Sequence, residues 1–205
     1  AVYGEEKFHA LYGDLVPVPE ERVIEAPDNF EIAMNHRIFR FLDTPGHALH
    51  HFSVHDLESN GIFTGDTFGL SYPNLQTPAG PFIFATTTPV QFDPDQLHAS
   101  IDRLMALDPD HFYLTHYGRL EARRELADQL KTSIDDFVNI ALQEKKTLNR
   151  IEVITSRILD YLVAGLETME CDCNEDDCRN WLAMDAALNA QGLDVWLKRL
   201  DRSSA

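Results

Sequence analysis

Three short stretches of this chain place histidine or aspartate where an alternating run gives way to a turn. The first is Asp43-Thr44-Pro45-Gly46-His47-Ala48-Leu49-His50-His51, in which a Pro-Gly turn fixes the backbone direction and so aims the imidazole of His47. The second is Phe63-Thr64-Gly65-Asp66-Thr67-Phe68-Gly69, where a glycine permits close backbone approach and Asp66 stands at the strand tip. The third is Leu114-Thr115-His116-Tyr117-Gly118, again a strand end followed by a histidine and a glycine. Imidazole and carboxylate are the usual ligands of zinc, and they also suit iron or manganese. Strand ends on a shared sheet edge can converge on one point, so His47, Asp66 and His116 are candidate metal ligands.

The elements that must carry these residues are read from periodicity. Glu5 to Leu15 predicts a short helix with Phe8, Leu11, Tyr12 and Leu15 on one side, stopped by Pro17 and Pro19. The period then shortens to two. Val23 to Glu25, Phe30 to Met34 and Arg37 to Leu42 predict strands, with Asn35-His36 as a hairpin turn. Phe52 to His55 and Ile62 to Thr64 predict two more, and Gly69 to Gly80 reads as loop. Asp93-Pro94, with Gln96 where a capping partner belongs, opens a helix to about Leu107. Phe112 to Leu114 is a strand. Beyond it, Leu120, Leu126, Leu130, Ile134, Val138 and Leu142 track one helical face, and Ile151, Ile154, Ile158, Leu162 and Leu166 a second. Leu182 to Leu200 reads as a third helix, interrupted near Gly192. A soft boundary falls at Lys146 to Arg150, giving residues 1–148 and 149–205 as two parts.

Bulk properties exclude some classes. With 205 residues and 44% hydrophobic content the chain can bury one sizeable core. A formal net charge of -17 argues against tracking phosphates, because nucleic-acid binding is driven largely by Lys and Arg, and it would repel an anionic membrane. It leaves a small-molecule substrate open, since a local metal dominates the field at its own site. No run is long and apolar enough to span a membrane, and no secretory leader opens the chain. The cysteines, Cys171, Cys173 and Cys178, are odd in number and give no disulfide framework, which points to a reducing cytoplasmic compartment. Their spacing fits a zinc site poorly, and the surrounding acids read as a solvated loop.

The order Thr-Pro-Gly-His, Thr-Gly-Asp-Thr, Thr-His-Tyr-Gly resembles the later motifs of the metallo-β-lactamase superfamily, in the general hydrolase branch with glyoxalase-II-like wording, over roughly residues 20 to 118. The resemblance implies an α/β fold, part of a layered αββα sandwich, with a helical carboxy-terminal extension. By the family's pattern His47 is a terminal ligand of one metal, His116 of the other, and Asp66 bridges the two as the residue on which catalysis turns. His51 matches a frequent second histidine of the first motif and is placed as an orienting residue, not a ligand. Two zinc ions so held would acidify a water into hydroxide and polarise the bond to be cut, which implies hydrolysis of an ester, thioester, amide or phosphodiester without a protein nucleophile.

The family's first motif, His-x-His-x-Asp-His, is absent from the chain. Each metal is therefore left with one terminal ligand and the bridge, where a catalytic zinc takes about three protein ligands. The chain also opens on Ala1, and the expectation is that an upstream segment is missing. Alternatively another copy, as in a homodimer, lends ligands, or the chain is a non-catalytic interaction or dimerisation module. An iron-dependent redox relative on the same fold is a further alternative. His9, His36, His98 and His111 read as ordinary surface residues, and His50 and His55 as strand-edge residues. Asp43 and Thr115 flank ligands and could steady them, while Tyr72, Tyr113 and Tyr117 could line a pocket. The substrate would be contacted by the Gly69 to Phe84 loop and by the missing segment.

Overall fold

The computed structural model describes residues 5–88, 91–116 and 118–203, apart from the side chains of Glu5, Lys7, Leu11, Tyr12 and Ser203. Its centre is a six-stranded sheet in the order β1 (Glu31–Met34), β2 (Arg37–Asp43), β3 (Phe52–Asp56), β4 (Gly61–Gly65), β7 (His111–Leu114) and β8 (Arg119–Glu121). A second, two-stranded ribbon joins β5 (Gln76–Thr77) to β6 (Gly80–Pro81). The helices are α1 (Glu5–Tyr12), α2 (Pro94–Met105), α3 (Arg124–Gln143), α4 (Arg150–Thr168) and α5 (Glu175–Ser203).

Pairing direction decides where the motifs end up. β2 runs antiparallel to β3, β3 antiparallel to β4, and β4 parallel to β7 across the α2 crossover. It follows that β2, β4 and β7 all point the same way, so His47, Asp66 and His116 leave one edge of the sheet. The hairpin between β1 and β2 turns at Asn35 and His36, both with positive φ (49° and 70°), as a tight two-residue hairpin requires.

The two faces of the sheet differ. Leu42, Ile62, Phe112 and Leu114 point into a continuous core that also takes Leu97, Ile101, Leu130, Ile134, Phe137, Ile158, Leu162, Leu193 and Leu197 from the helices. Each such side chain contributes about 1.5–3 kcal/mol by leaving water. The alternate residues Phe41, Phe52, Val54, Phe63 and Tyr113 line the other face, on which Phe63 stacks with Tyr113 at 4.8 Å and Phe41 lies 5.7 Å from Phe52. Phe52 and Phe63 are exposed there. Of the expected αββα sandwich, the described residues contain the six-stranded sheet, the small β5–β6 ribbon and the helices packed on the core face.

Several expectations change. Val23 to Glu25 forms no strand, because the segment pairs with no neighbour and lies exposed. α1 ends at Tyr12 rather than Leu15, and the Gly13 amide bonds back to the His9 carbonyl. The side chains of Leu11 and Tyr12, placed on its apolar side by the sequence, lie outside the described residues. Gly69 to Gly80 holds the short 76–77 strand and a bridge from Leu70 to Phe84, so it is less irregular than its composition suggests. Leu120 belongs to β8, paired with Phe112, and the buried stripe of α3 is Leu126, Leu130, Ile134, Phe137 and Ala141. α5 runs unbroken through Gly192, where a Cβ would fall 1.7 Å from the Thr87 carbonyl oxygen. The glycine there serves helix packing, not helix termination. Cys173 and Cys178 form a disulfide, against the expectation of unpaired cysteines, and Cys171 is free. Among the described residues no helix is long and apolar enough to cross a membrane.

Candidate metal centre

The turn that carries His47 is clamped from α2. The Asp93 amide donates to the Gly46 carbonyl at 2.8 Å, Ser100 Oγ to the Pro45 carbonyl at 2.6 Å, and Arg103 to the Asp43 carbonyl at 2.8 Å. Asp93 also caps α2 by accepting the Gln96 amide at 3.0 Å. The helix start and the histidine turn thus hold each other.

His47 is buried, and its Nδ1 lies 3.1 Å from the Thr86 carbonyl oxygen. A carbonyl only accepts, so Nδ1 carries the proton and Nε2 presents a lone pair. Burial pushes the His47 pKa down, opposed by the Thr86 hydrogen bond and the Asp66 charge, which favours this neutral form. The Nε2 lone pair faces Asp66 Oδ2 at 3.5 Å, beyond the usual hydrogen-bond limit of about 3.2 Å. His116 Nε2 lies 3.2 Å from the other oxygen, Oδ1, which is buried and accepts no hydrogen bond. The His47 Nε2 lone pair and the Asp66 carboxylate, facing each other across that gap, repel unless positive charge lies between. Imidazole and carboxylate donors of this kind suit a cation such as zinc.

His51 is fully engaged otherwise. Its Nε2 accepts the Asp66 amide at 2.9 Å, so Nδ1 carries its proton, facing Thr67 Oγ1 at 2.9 Å and Thr44 Oγ1 at 3.2 Å. Burial lowers its pKa, and the neighbouring His47 lowers it further. With both nitrogens occupied, His51 orients the Asp66 backbone and has no lone pair for a metal. Thr44 continues to Ser53 Oγ at 3.0 Å, and Ser53 to the Thr64 carbonyl at 3.3 Å, so the threonines of the two motifs form one buried net. Gly65, at φ +53°, has no room for more: a Cβ there would sit 2.4 Å from His51 Nε2.

Among the described residues no group of three or more His, Cys, Asp or Glu side chains closes into a metal-holding set. Each side of Asp66 has a single imidazole within 3.5 Å, His47 on one and His116 on the other. Tyr117 of the third motif lies outside the described residues. Asp43 and Thr115 are exposed. His50 is exposed as well, His55 Nε2 pairs with Asn60 at 3.1 Å, His98 pairs with Asp135 at 2.9 Å, and His9 lies 3.1 Å from Asp14.

The profile of the Metallo-beta-lactamase superfamily matches residues 2–116, more than half of the chain. The chain belongs to the metallo-beta-lactamase superfamily. It is 31% identical over 122 residues to the metallo-beta-lactamase fold-containing protein ST1585 of Sulfurisphaera tokodaii, covering 59% of this chain and 42% of that protein. It also resembles the crystal structure of an archaeal superfamily member, ST1585 from Sulfolobus tokodaii, with a TM-score of 0.51 and 22% identity over 94% of this chain and 59% of that one. The chain therefore spans less than two thirds of the length of these relatives.

Three features of this superfamily member escaped the sequence reading: Asp185, Asn189 and the Thr86 carbonyl. Asp185, on α5, is buried and accepts the Tyr72 hydroxyl at 2.9 Å. Burial raises its pKa, while the Tyr72 bond and the charge of nearby His116 act the other way. The Thr86 carbonyl was missed because a main-chain acceptor has no residue signature. Asp185 and Asn189 had a signal: two polar residues at helical spacing within the stripe Leu182, Ala186, Ala190, Leu193.

Proposed function

We propose that the protein to which this chain belongs is a metal-dependent hydrolase of a small ester, thioester or phosphodiester, and that Asp66 lies between two cations, with His47 beside one and His116 beside the other. The observation that carries this reading is the His47 lone pair facing the Asp66 carboxylate: the His47 proton is committed to Thr86, and Oδ1 of Asp66 is buried without a hydrogen bond. Zinc bound there would supply Lewis acidity, lowering the pKa of a water and polarising the bond to be cut. The chain's own residues hold that geometry. Thr86 keeps His47 in one tautomer, His51 anchors the Asp66 backbone, and the Thr44–Ser53–Thr67 net steadies His51. Iron or manganese would find the same donors acceptable, so metal content decides among them. A catalytic zinc takes about three protein ligands, so further ligands from outside these residues would be needed to complete each set. The substrate reads as a small molecule rather than a nucleic acid or membrane, given the net charge of -17.

The test is a polypeptide in which an upstream His-x-His-x-Asp-His segment precedes this chain. It is expected to hydrolyse model esters, thioesters or phosphodiesters, and Asp66→Asn is expected to bring the rate to background. Equal hydrolysis with Asp66→Asn removes the role assigned to Asp66. A second reading, a non-catalytic association module, is favoured by the uncovered aromatic face of the sheet, since apolar patches of this kind mark interfaces. A strictly monomeric chain that recovers no partner would count against it.

A further inference from the structure

We propose that Asn189 of α5 is a positioning residue for His47, acting through Thr87 on the main chain whose Thr86 carbonyl holds the imidazole. The inference rests on reading His47 as a metal ligand. Thr87 and Asn189 are both fully buried. The Thr87 amide donates to Asn189 Oδ1 at 2.6 Å, and the Thr87 hydroxyl lies 2.9 Å from Oδ1 and 3.0 Å from the Asn189 carbonyl oxygen. Asn189 Nδ2 donates to the Asp185 carbonyl at 2.9 Å, so the amide has only one orientation that satisfies all partners. One turn later, the bare backbone of Gly192 lies against the Thr87 carbonyl, closer than any side chain would allow. From the other side, Ser133 Oγ of α3 accepts the Ala85 amide at 2.9 Å. The segment 85–87 is thus pinned at both ends, and Thr86 between them has its carbonyl fixed on His47 Nδ1 at 3.1 Å.

The consequence is chemical. Thr86 selects the Nδ1–H tautomer and so directs the Nε2 lone pair toward Asp66. If the Thr86 carbonyl drifts, both tautomers become accessible and part of the population offers the wrong nitrogen. Partners of this outer kind hold ligating histidines in register, and their loss typically weakens metal binding about 10–100-fold. Acting one peptide further out, Asn189 belongs at the low end of that range.

The test uses the chain itself with ¹⁵N-labelled histidine, followed by NMR and titrated with zinc alone. In the wild type His47 is expected as the Nδ1–H tautomer, with Nε2 shifting as zinc is added. Asn189→Ala is expected to mix the tautomers and weaken the His47 zinc response roughly tenfold. Thr87→Val, an isosteric change that keeps the amide bond to Asn189, tests the same link should Asn189→Ala fail to fold; Thr87→Ser, which keeps the hydroxyl, is expected to restore the wild-type tautomer. A folded Asn189→Ala chain with unchanged tautomer and zinc response overturns the proposal, as does a folded Asn189→Leu chain, which keeps the volume but removes the acceptor of the Thr87 amide; an unchanged Thr87→Val chain overturns the share carried by the hydroxyl. Zinc that leaves His47 Nε2 unmoved in the wild type defeats the metal-ligand reading instead, while the tautomer comparison still reports on Asn189.

Discussion

At the scale of the residue, the site is a set of lone pairs held apart by hydrogen bonds made elsewhere. His47 and His51 sit in the same motif, yet they differ in what their second nitrogen finds: a main-chain carbonyl for His47, a main-chain amide for His51. That difference frees one imidazole for a cation and occupies the other. Gly65 makes the arrangement possible, because its φ of +53° and missing Cβ let the His51 ring close on the Asp66 amide. Gly65→Ala is expected to lower stability by about 1–3 kcal/mol through strain at a left-handed position and displacement of His51. Urea unfolding reads the loss, and the His51 ring resonances read the displacement. A variant as stable as the wild type with an unmoved His51 would contradict the packing described. That His47, Asp66 and His116 come together was legible because each follows a strand end marked by turn residues. The Thr86 carbonyl was not, since every residue has one.

At the scale of the element, what the sequence shows depends on whether period and partner agree. The hairpin at Asn35-His36 and the capped start of α2 were legible from local chemistry alone. Leu120 was not, because its place on an apolar period of helical spacing competes with a strand partner, β7, that only the fold reveals. Gly192 misled for a similar reason: its use is the approach of α5 to Thr87, a contact far away in the chain. The pairing of α4 with α5 carries a charged contact that makes its own prediction. Burial of Asp194 raises its pKa, but hydrogen bonds from Lys198 and Arg150 outweigh this and hold it below the ordinary 3.8. A depressed folded-state pKa means the contribution is present above the unfolded value and lost as pH falls through the folded one. The wild-type urea midpoint is therefore expected to fall below about pH 4 more steeply than that of Asp194→Asn, which lacks this titration. Parallel acid profiles of the two chains would show that Asp194 is not linked to folding.

At the scale of the whole molecule, one face of the sheet leaves Phe52 and Phe63 exposed, and each side of Asp66 offers a single imidazole. A further layer over that face would bury both rings, and side chains from it would add ligands around Asp66. In its absence the chain is expected to self-associate through that face, and Phe63→Lys is expected to shift it toward monomer in sedimentation with little change in unfolding midpoint, because Phe63 is already 47% exposed. A wild-type chain that sediments as a monomer at all concentrations would show that the face does not associate. The central claim, that His47, Asp66 and His116 form half of a metal centre, is tested most directly by calorimetric titration of zinc into the wild-type chain and into Asp66→Asn. The account predicts measurable uptake by the wild type and at least roughly tenfold weaker uptake by the variant, since Asp66 lies within 3.5 Å of both imidazoles. Equal zinc binding by the two chains would contradict it.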